Sequence, residues 1–358
     1  MNIVVRHLAR EIYGATAMVL LAFLGLFAFF DLVNELDSVG KRGYELHHAF
    51  IYVMLLVPGR IYELLPIAVL IGTLYALTTL ARHSELTVMR VSGLSTGRML
   101  RVLALIGCVF VVLTFVMGEF IAPPAERAAQ QFRLQATQST VSQDLRSGLW
   151  VKDGTLFINV RTLTADQVME NVRIYEFDDQ QGMKSIGEAK RGEYVGPEEG
   201  WRLTNVAQTL FGPKGTSVRT LPEFQWRSDL TPEVLSVLMV VPERMSVTTL
   251  YTYSRHLAEN RQKAGRYEIA LWKKLVYPFA ALVMIGLALP FAYTHDRMGG
   301  VSVKVFAGVM IGIGFHLLNG LASNLGVINS WPPLVAALMP SGVFLLAAAG
   351  MLFWVERR

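Results

Sequence analysis

LLPIAVLIGTLYALTTLA, residues 64–81, is uncharged throughout and runs directly into RHSELTVMRVSG, residues 82–93. At 1.5 Å per helical residue the first stretch is about 27 Å long, close to the ~30 Å hydrocarbon layer of a bilayer. It reads as a membrane span, and the charged segment after it as a turn at the membrane surface.

Working outward, residues 12–30, 102–118 and 275–295 are further uncharged runs of spanning length. Between Lys304 and Glu356 no Asp, Glu, Lys or Arg occurs, and the breaker-rich SNLGVINSWPP, residues 323–333, divides that run in two. Six spans are expected. The second begins near His48, because LHHAFIYVMLLVP is also apolar and Pro58 and Pro66 would only kink it. With 53% hydrophobic and 17% charged residues over 358 positions, an ordinary soluble protein is excluded. The first span is too long for a signal-peptide core and no small-residue cleavage site follows it, so it is expected to be retained.

Arg6, Arg10, Arg82, Arg90, Arg98, Arg101, Arg297, Lys304, Arg357 and Arg358 fall on one side of this layout; the short loops opposite hold only Lys41 and Arg42. The positive-inside rule then puts both termini and RHSELTVMRVSG in the cytoplasm, and the long polar segment on the outer side. The formal net charge of +5 is largely this bias and calls for no nucleic-acid partner. The expected units are residues 1–121 with three spans, 122–266 outside, and 267–358 with three more.

LFINVRTL, VRIYEFDD, SIGEAKRGEYV and WRLTNVAQTLF alternate β-branched and aromatic residues with polar ones, between DGT, QQG, PEEG and PKGT turns. This predicts an antiparallel all-β domain of sandwich or barrel type. Residues 246–274 are helix-rich, with Ser246 as N-cap and Gly265 as a break. The single cysteine, Cys108, excludes disulfides and is expected to be a small apolar filler in the third span.

No GxxxxGK[ST], HExxH, CxxC or GxSxG motif occurs. His47 and His48 diverge by about 100° on a helix and do not suit one metal. His316 and Asn319, at i and i+3 on the fifth span, are candidates for interhelical hydrogen bonds or a polar pathway.

In RHSELTVMRVSG, Ser84 can cap the first-turn amides, Glu85 and Arg90 suit the two ends of a helix dipole, and Gly93 permits a left-handed stop. Leu86, Val88, Met89 and Val91 spread around the axis, which suits a protein groove better than a lipid surface. So short a helix is marginal alone and needs a partner to hold it.

The layout, together with LARHSELTVMRVSG, GEFIAPPAERAAQQFRLQA, GLWVKDG, LTPE and AGRYEIALWKKLVYP, resembles the lipopolysaccharide export permeases of the YjgP/YjgQ family over essentially the whole chain. The resemblance is nearer to one of that family's two paralogous branches. It implies a six-span α-helical membrane protein with a periplasmic β-jellyroll between spans 3 and 4. It implies a subunit of an ABC exporter in the bacterial inner membrane, neither an enzyme nor a cofactor protein, with ATP bound by a separate cytoplasmic ATPase dimer. The other implied partners are a paralogous permease, membrane-anchored and periplasmic jellyroll proteins, and lipopolysaccharide.

On this resemblance RHSELTVMRVSG is the coupling helix. Glu85 holds its characteristic acidic position, and Ser84, Leu86, Met89 and Arg90 are the neighbouring coupling contacts. A phosphorylated lipid needs a basic rim near the outer interface, for which Arg133, Lys41, Arg42, Arg60 and Arg127 lie at suitable depth. Of these, Arg133 matches the family motif. Entry between the first and fifth spans makes Phe23, Leu26, Phe30, Leu317 and Leu321 the candidates for the gate and cavity wall. The rival readings are a mechanotransmitting ABC subunit, an envelope-lipid enzyme using Glu63 or Glu119, and an ion-coupled transporter. The last would want mid-membrane carboxylates, which the spans lack.

Overall fold

The computed structural model describes residues 2–41, 43–137, 148–164, 168–178, 182–196, 199–212, 215–227, 241–293 and 301–357. Arg42, Arg297 and the LTPE motif lie outside the described residues. Among the described residues six helical stretches are long and apolar enough to cross a membrane: Ile3–Leu36, Leu46–Arg82, Thr96–Ala136, Gly265–Tyr293, Val301–Ile328 and Pro333–Val355. The expected six-span layout is therefore present, with the β domain inserted between spans 3 and 4 in sequence.

The elements are α1 (Asn2–Leu36), α2 (Leu46–Arg82), α3 (Glu85–Val91), α4 (Thr96–Val116), α5 (Ala122–Ala136), six strands, and then α6 (Val247–Glu259), α7 (Gly265–Val276), α8 (Ala280–Tyr293), α9 (Val301–Ile328) and α10 (Pro333–Glu356). Helix α2 is the hub, packed by α1, α5, α8 and α9. Within its most apolar stretch 83% of residues are buried, against 6% for α1 and 22% for α9. Glycine allows the close crossings, as expected where lipid gives no hydrophobic drive to helix association. A Cβ on Gly72 would lie 2.6 Å from Thr16 Cα, and Cβ atoms on Gly308 and Gly312 would meet Leu74 and Ile67 at 2.6 and 2.5 Å. One core joins Leu8 and Ile12 of α1, Leu77 of α2, Leu86 of α3, Leu103 of α4 and Ile285 of α8.

Three boundaries differ from the sequence expectation. The third span does not end near Gly118: a π-helical turn, Met117–Ile121, carries the chain into α5, with a proline near the start of that helix. The wider turn accommodates prolines that lack the N–H an α-helix would require. The break between α6 and α7 precedes Gly265, which is the first residue of α7. Helix α9 continues through Ser323 to Ile328, with the Ser323 hydroxyl turned back to donate to Asn319 O at 2.9 Å, and the break is confined to residues 329–332. Cys108 is not an interior filler; it is exposed on α4.

The β domain is one antiparallel sheet in chain order: β1 (Leu149–Asp153), β2 (Leu156–Leu163), β3 (Met169–Phe177), β4 (Met183–Gly196), β5 (Gly200–Gly212) and β6 (Gly215–Trp226). Five strand spacings of about 4.8 Å would hold β1 and β6 some 24 Å apart in a flat sheet. Yet Trp226 Nε1 donates to Asp153 Oδ2 at 2.9 Å, so the sheet curls until its first and last strands meet at one end. The curl encloses Ile158, Val172, Trp201, Leu203 and Trp226, and Leu134 of α5 and Tyr253 of α6 pack on the same core.

Candidate functional site

Helix α3 stands at the end of α2, after a tight turn at His83 and Ser84. Ser84 is the N-cap residue, but at φ 60° its side chain makes no capping bond, contrary to the sequence reading. Its backbone serves instead: the carbonyl accepts from Val88 N at 3.0 Å and the N–H donates to Ala81 O at 3.0 Å. Glu85 and Arg90 occupy the first and last turns, and Gly93 takes φ +94° as the stop requires. The apolar residues do separate: Leu86 is 3% exposed and packs into the core with Met89 beside it, whereas Val88 and Val91 are 62% and 84% exposed. Leu86 is therefore a packing residue rather than a surface contact. The outward face holds Thr87, Val88 and Val91 beside Ser84 and Arg90, with Glu85 half-buried at its edge. The i, i+3 pairs Leu86/Met89 and Val88/Val91 were the available signal for this division.

Glu85 is tied to α1: its Oε2 lies 2.9 Å from His7 Nε2, with both side chains about two-fifths exposed, at 42% and 41%. Arg90 lies over the Tyr293 ring of α8 at 4.8 Å. The coupling candidates thus touch α1 and α8 directly.

Counted up α2 from Arg82, Arg60 stands about 33 Å higher, one hydrocarbon thickness away. Two of the candidate rim residues, Arg60 and Arg133, are already engaged there. Arg60 donates to both Asp31 oxygens at 2.9 and 2.6 Å and to Glu63 at 3.0 Å, joining α1 to α2. Arg133 donates to Glu35 at 2.9 Å and lies over Tyr52 at 5.5 Å, joining α1, α2 and α5. Burial, and then the Glu35 carboxylate, push the neighbouring Tyr44 phenol well above its ordinary range. Arg127 is half-buried and Lys41 exposed, and among the described residues neither has a partner.

The sequence reading missed Arg244. In the 3-10 turn Pro242–Arg244 its guanidinium bonds Glu63 of α2 at 3.3 Å and Glu126 of α5 at 3.1 Å. Burial opposes that charge, but the two carboxylates outweigh it and hold the guanidinium above its ordinary value. Glu119 accepts the Val247 N–H at 2.9 Å. The two carboxylates considered for an enzyme reading thus hold the chain returning from the β domain. Beside them is a cavity of about 380 Å³ lined by residues including Arg60, Arg244, Lys273, Lys274, His316 and Asn319.

The gate candidates lie on two uncovered faces. Leu26 and Phe30 of α1 are 48% and 52% exposed, Leu317 and Leu321 of α9 are 59% and 56% exposed, and Phe23 is half-buried.

Fold and site together define a polytopic membrane protein whose central buried helix runs from a short surface helix at one end to an ion-pair cluster supporting a curled β-sheet at the other. The chain belongs to the lipopolysaccharide export system permease LptF/LptG family, whose model matches residues 6–355. It is 29% identical over 97% of both chains to lipopolysaccharide export system permease protein LptG of Escherichia coli K12. It is 30% identical to the LptG protein of Haemophilus influenzae, over 100% of this chain and 99% of that one. The expected nearness to one paralogous branch is thus nearness to LptG.

Proposed function

We propose that the chain is one transmembrane half of an ABC exporter that extracts lipopolysaccharide from the inner membrane and passes it to a periplasmic bridge toward the outer membrane. Both termini and α3 are cytoplasmic and the β domain is periplasmic, as the arginine bias requires. A cytoplasmic LptB-like ATPase dimer binds the ATP and grips α3. An LptF-like permease completes the membrane half, and LptC-like and LptA-like jellyroll proteins receive the lipid.

The observation that carries this reading is the contrast between a buried α2 and the uncovered apolar faces of α1 and α9. α10 is as open as α9, at 22% buried, and a bundle that leaves such spans uncovered fits one flanked by a paralogue and an amphipathic lipid. The β domain adds an open edge: among the described residues β6 pairs only with β5, so its outer main-chain groups can extend a neighbour's sheet. β2 lies between β1 and β3, so its main chain is already paired on both sides. The mechanotransmitting alternative predicts the same α3 contacts but no lipid within the bundle.

Co-purification of the full complex followed by mass spectrometry tests this. The ATPase, the paralogous permease and bound lipopolysaccharide should appear together, and ATP should drive crosslinkable lipid onto the β domain in proteoliposomes. Stable assembly with no lipid in any nucleotide state would sink the export reading and leave mechanotransmission.

A further inference from the structure

Lys152, Asp153 and Gly154, at the turn between β1 and β2, are bound from two sides. From the membrane side, the end of α6 holds the first and third of them. The Gly154 N–H donates to Asn260 Oδ1 at 2.6 Å, Lys152 Nζ donates to the Asn260 carbonyl at 3.2 Å, and His256 Nε2 donates to the Lys152 carbonyl at 3.2 Å. Arg261 takes φ 53°, which stops α6 at Asn260 and turns the chain back toward α7. From the sheet side, Asp153 Oδ2 accepts from Trp226 Nε1 at 2.9 Å. Trp226 is 1% exposed and stacks on Trp201 at 6.3 Å, so the two indoles fill that part of the curl. An indole N–H in such surroundings needs its acceptor. The Asp153 carboxylate therefore latches Trp226, and Asn260 and His256 set where that carboxylate stands.

Helix α6 is in turn fixed to the fourth span. Leu250 packs with Ala270 of α7, the Tyr253 and Tyr267 rings meet at 4.6 Å, and the buried Lys274 of α7 donates to the Met245 carbonyl just before α6. α7 continues through the turn Tyr277–Phe279 into α8, and the whole span, Gly265–Tyr293, has 29 residues and a length of about 43 Å. Its far end is Tyr293, the ring beneath Arg90 of α3. One span thus touches the surface helix at one end and, through α6, the Trp226 latch at the other. Contiguity transmits nothing unless an element along the way has two arrangements. The seam between β1 and β6 is such an element: among the described residues these strands are not paired, so the Asp153–Trp226 bond can part without breaking a ladder.

We propose that the fourth span is a rod by which α3 controls closure of the β domain, with Asn260 and His256 as positioning residues for the Asp153–Trp226 latch. The purpose of the device rests on the exporter reading: when α6 shifts, Asp153 leaves Trp226 and the curl opens to an acyl chain. The rod itself requires no lipid.

The full complex with its ATPase, in nanodiscs, tests this by hydrogen exchange read by mass spectrometry, with and without ATP and vanadate. In wild type, nucleotide should speed exchange in the peptide 149–156 about tenfold, the value of one hydrogen bond. Asn260→Ala should exchange faster there in both states and lose the nucleotide difference, while basal ATP hydrolysis stays at the wild-type rate. Asn260→Asp keeps the Oδ acceptor for the Gly154 N–H and should restore the difference. Tyr293→Leu, at the opposite end of the span from the β domain, should also abolish it, and this variant decides the matter if Asn260→Ala folds poorly. A nucleotide difference that survives in Asn260→Ala or in Tyr293→Leu overturns the rod and leaves Asn260 with a purely structural task. Its absence from wild type overturns the rod as well. The lipopolysaccharide content of the same samples keeps the two readings apart: a complex that never holds it sinks export, whereas nucleotide-dependent exchange at 149–156 would still stand.

Discussion

Arg133 and Glu35 form an ion pair at 2.9 Å in which the carboxylate is 7% exposed and the guanidinium 39% exposed. The pair fastens the end of α1 to α5, so the arginine that matches the family motif has a structural task. Arg133→Glu would set two carboxylates against each other at a buried position and should cost about 3 kcal/mol, because removing one partner strands the other's charge. Differential scanning fluorimetry should show a clear fall in melting temperature, with partial recovery in the exchanged pair Glu35→Arg/Arg133→Glu. An Arg133→Glu protein that melts like wild type would show that the pair does not hold these helices.

Lys41 and Arg127 are the cleaner probes of a head-group rim, since neither has a partner among the described residues to lose. The double variant Lys41→Glu/Arg127→Glu should reduce lipopolysaccharide co-purifying with the complex by about two to four powers of ten, at about 1.5–3 kcal/mol for each of two phosphate contacts. Its melting temperature and basal ATP hydrolysis should stay near wild type. Wild-type lipid content in this variant would leave only the apolar faces as the binding surface.

The spans were legible because bilayer thickness forces a long uncharged run wherever a helix crosses, and that constraint is written locally. Four of the β-strands, β2 to β5, were legible from alternation and turn residues, which are also local signals. The curl that brings Trp226 to Asp153 was not, since it depends on residues 73 positions apart and on how strand twist accumulates. Nor was the engagement of Arg60 and Arg133. A sequence shows a cation at the right depth, but whether Asp31 or Glu35 has already taken it is decided by the crossing of α1 on α2. Arg244 escaped notice because it follows the β domain yet folds back onto α2 and α5.

Glu85 should matter more to transport than to folding. Its contact with His7 is about two-fifths exposed, and such exposed pairs contribute roughly 0–1 kcal/mol. Glu85→Ala should therefore melt close to wild type yet abolish transport and uncouple ATP hydrolysis from lipid release. Glu85→Lys should be worse, because a cation opposes the first-turn dipole of α3. His7→Gln should retain most activity, since it leaves the carboxylate in place. Full complementation by Glu85→Ala would remove α3 from the coupling path.

The β6 edge gives a positional test. Val218 is 73% exposed on a strand that, among the described residues, is paired on one side, whereas Ile158 and Val160 are buried on an interior strand. A photo-crosslinker at Val218 should capture a jellyroll neighbour, while positions 158 and 160 should capture lipid or nothing. A protein partner at 158 and silence at 218 would invert the proposed docking edge.

The crossing of α1 on α2 at Gly72 can be tested against a glycine that touches nothing. A methyl group at Gly72 would lie 2.6 Å from Thr16 Cα and 2.5 Å from its hydroxyl oxygen, and the first of these is backbone that cannot swing away. Gly72→Ala must therefore push two packed helices apart, at a cost of about 1–3 kcal/mol. That shift would also strain the Arg60–Asp31 pair higher on the same two helices. Gly97, in the first turn of α4, has nothing within 4 Å of a built Cβ. Gly97→Ala should be neutral or stabilise by up to about 1 kcal/mol through helix propensity alone. Thermal melting of the two single variants decides the matter: equal melting temperatures would mean that α1 is free to move on α2 and that Gly72 is not its seat.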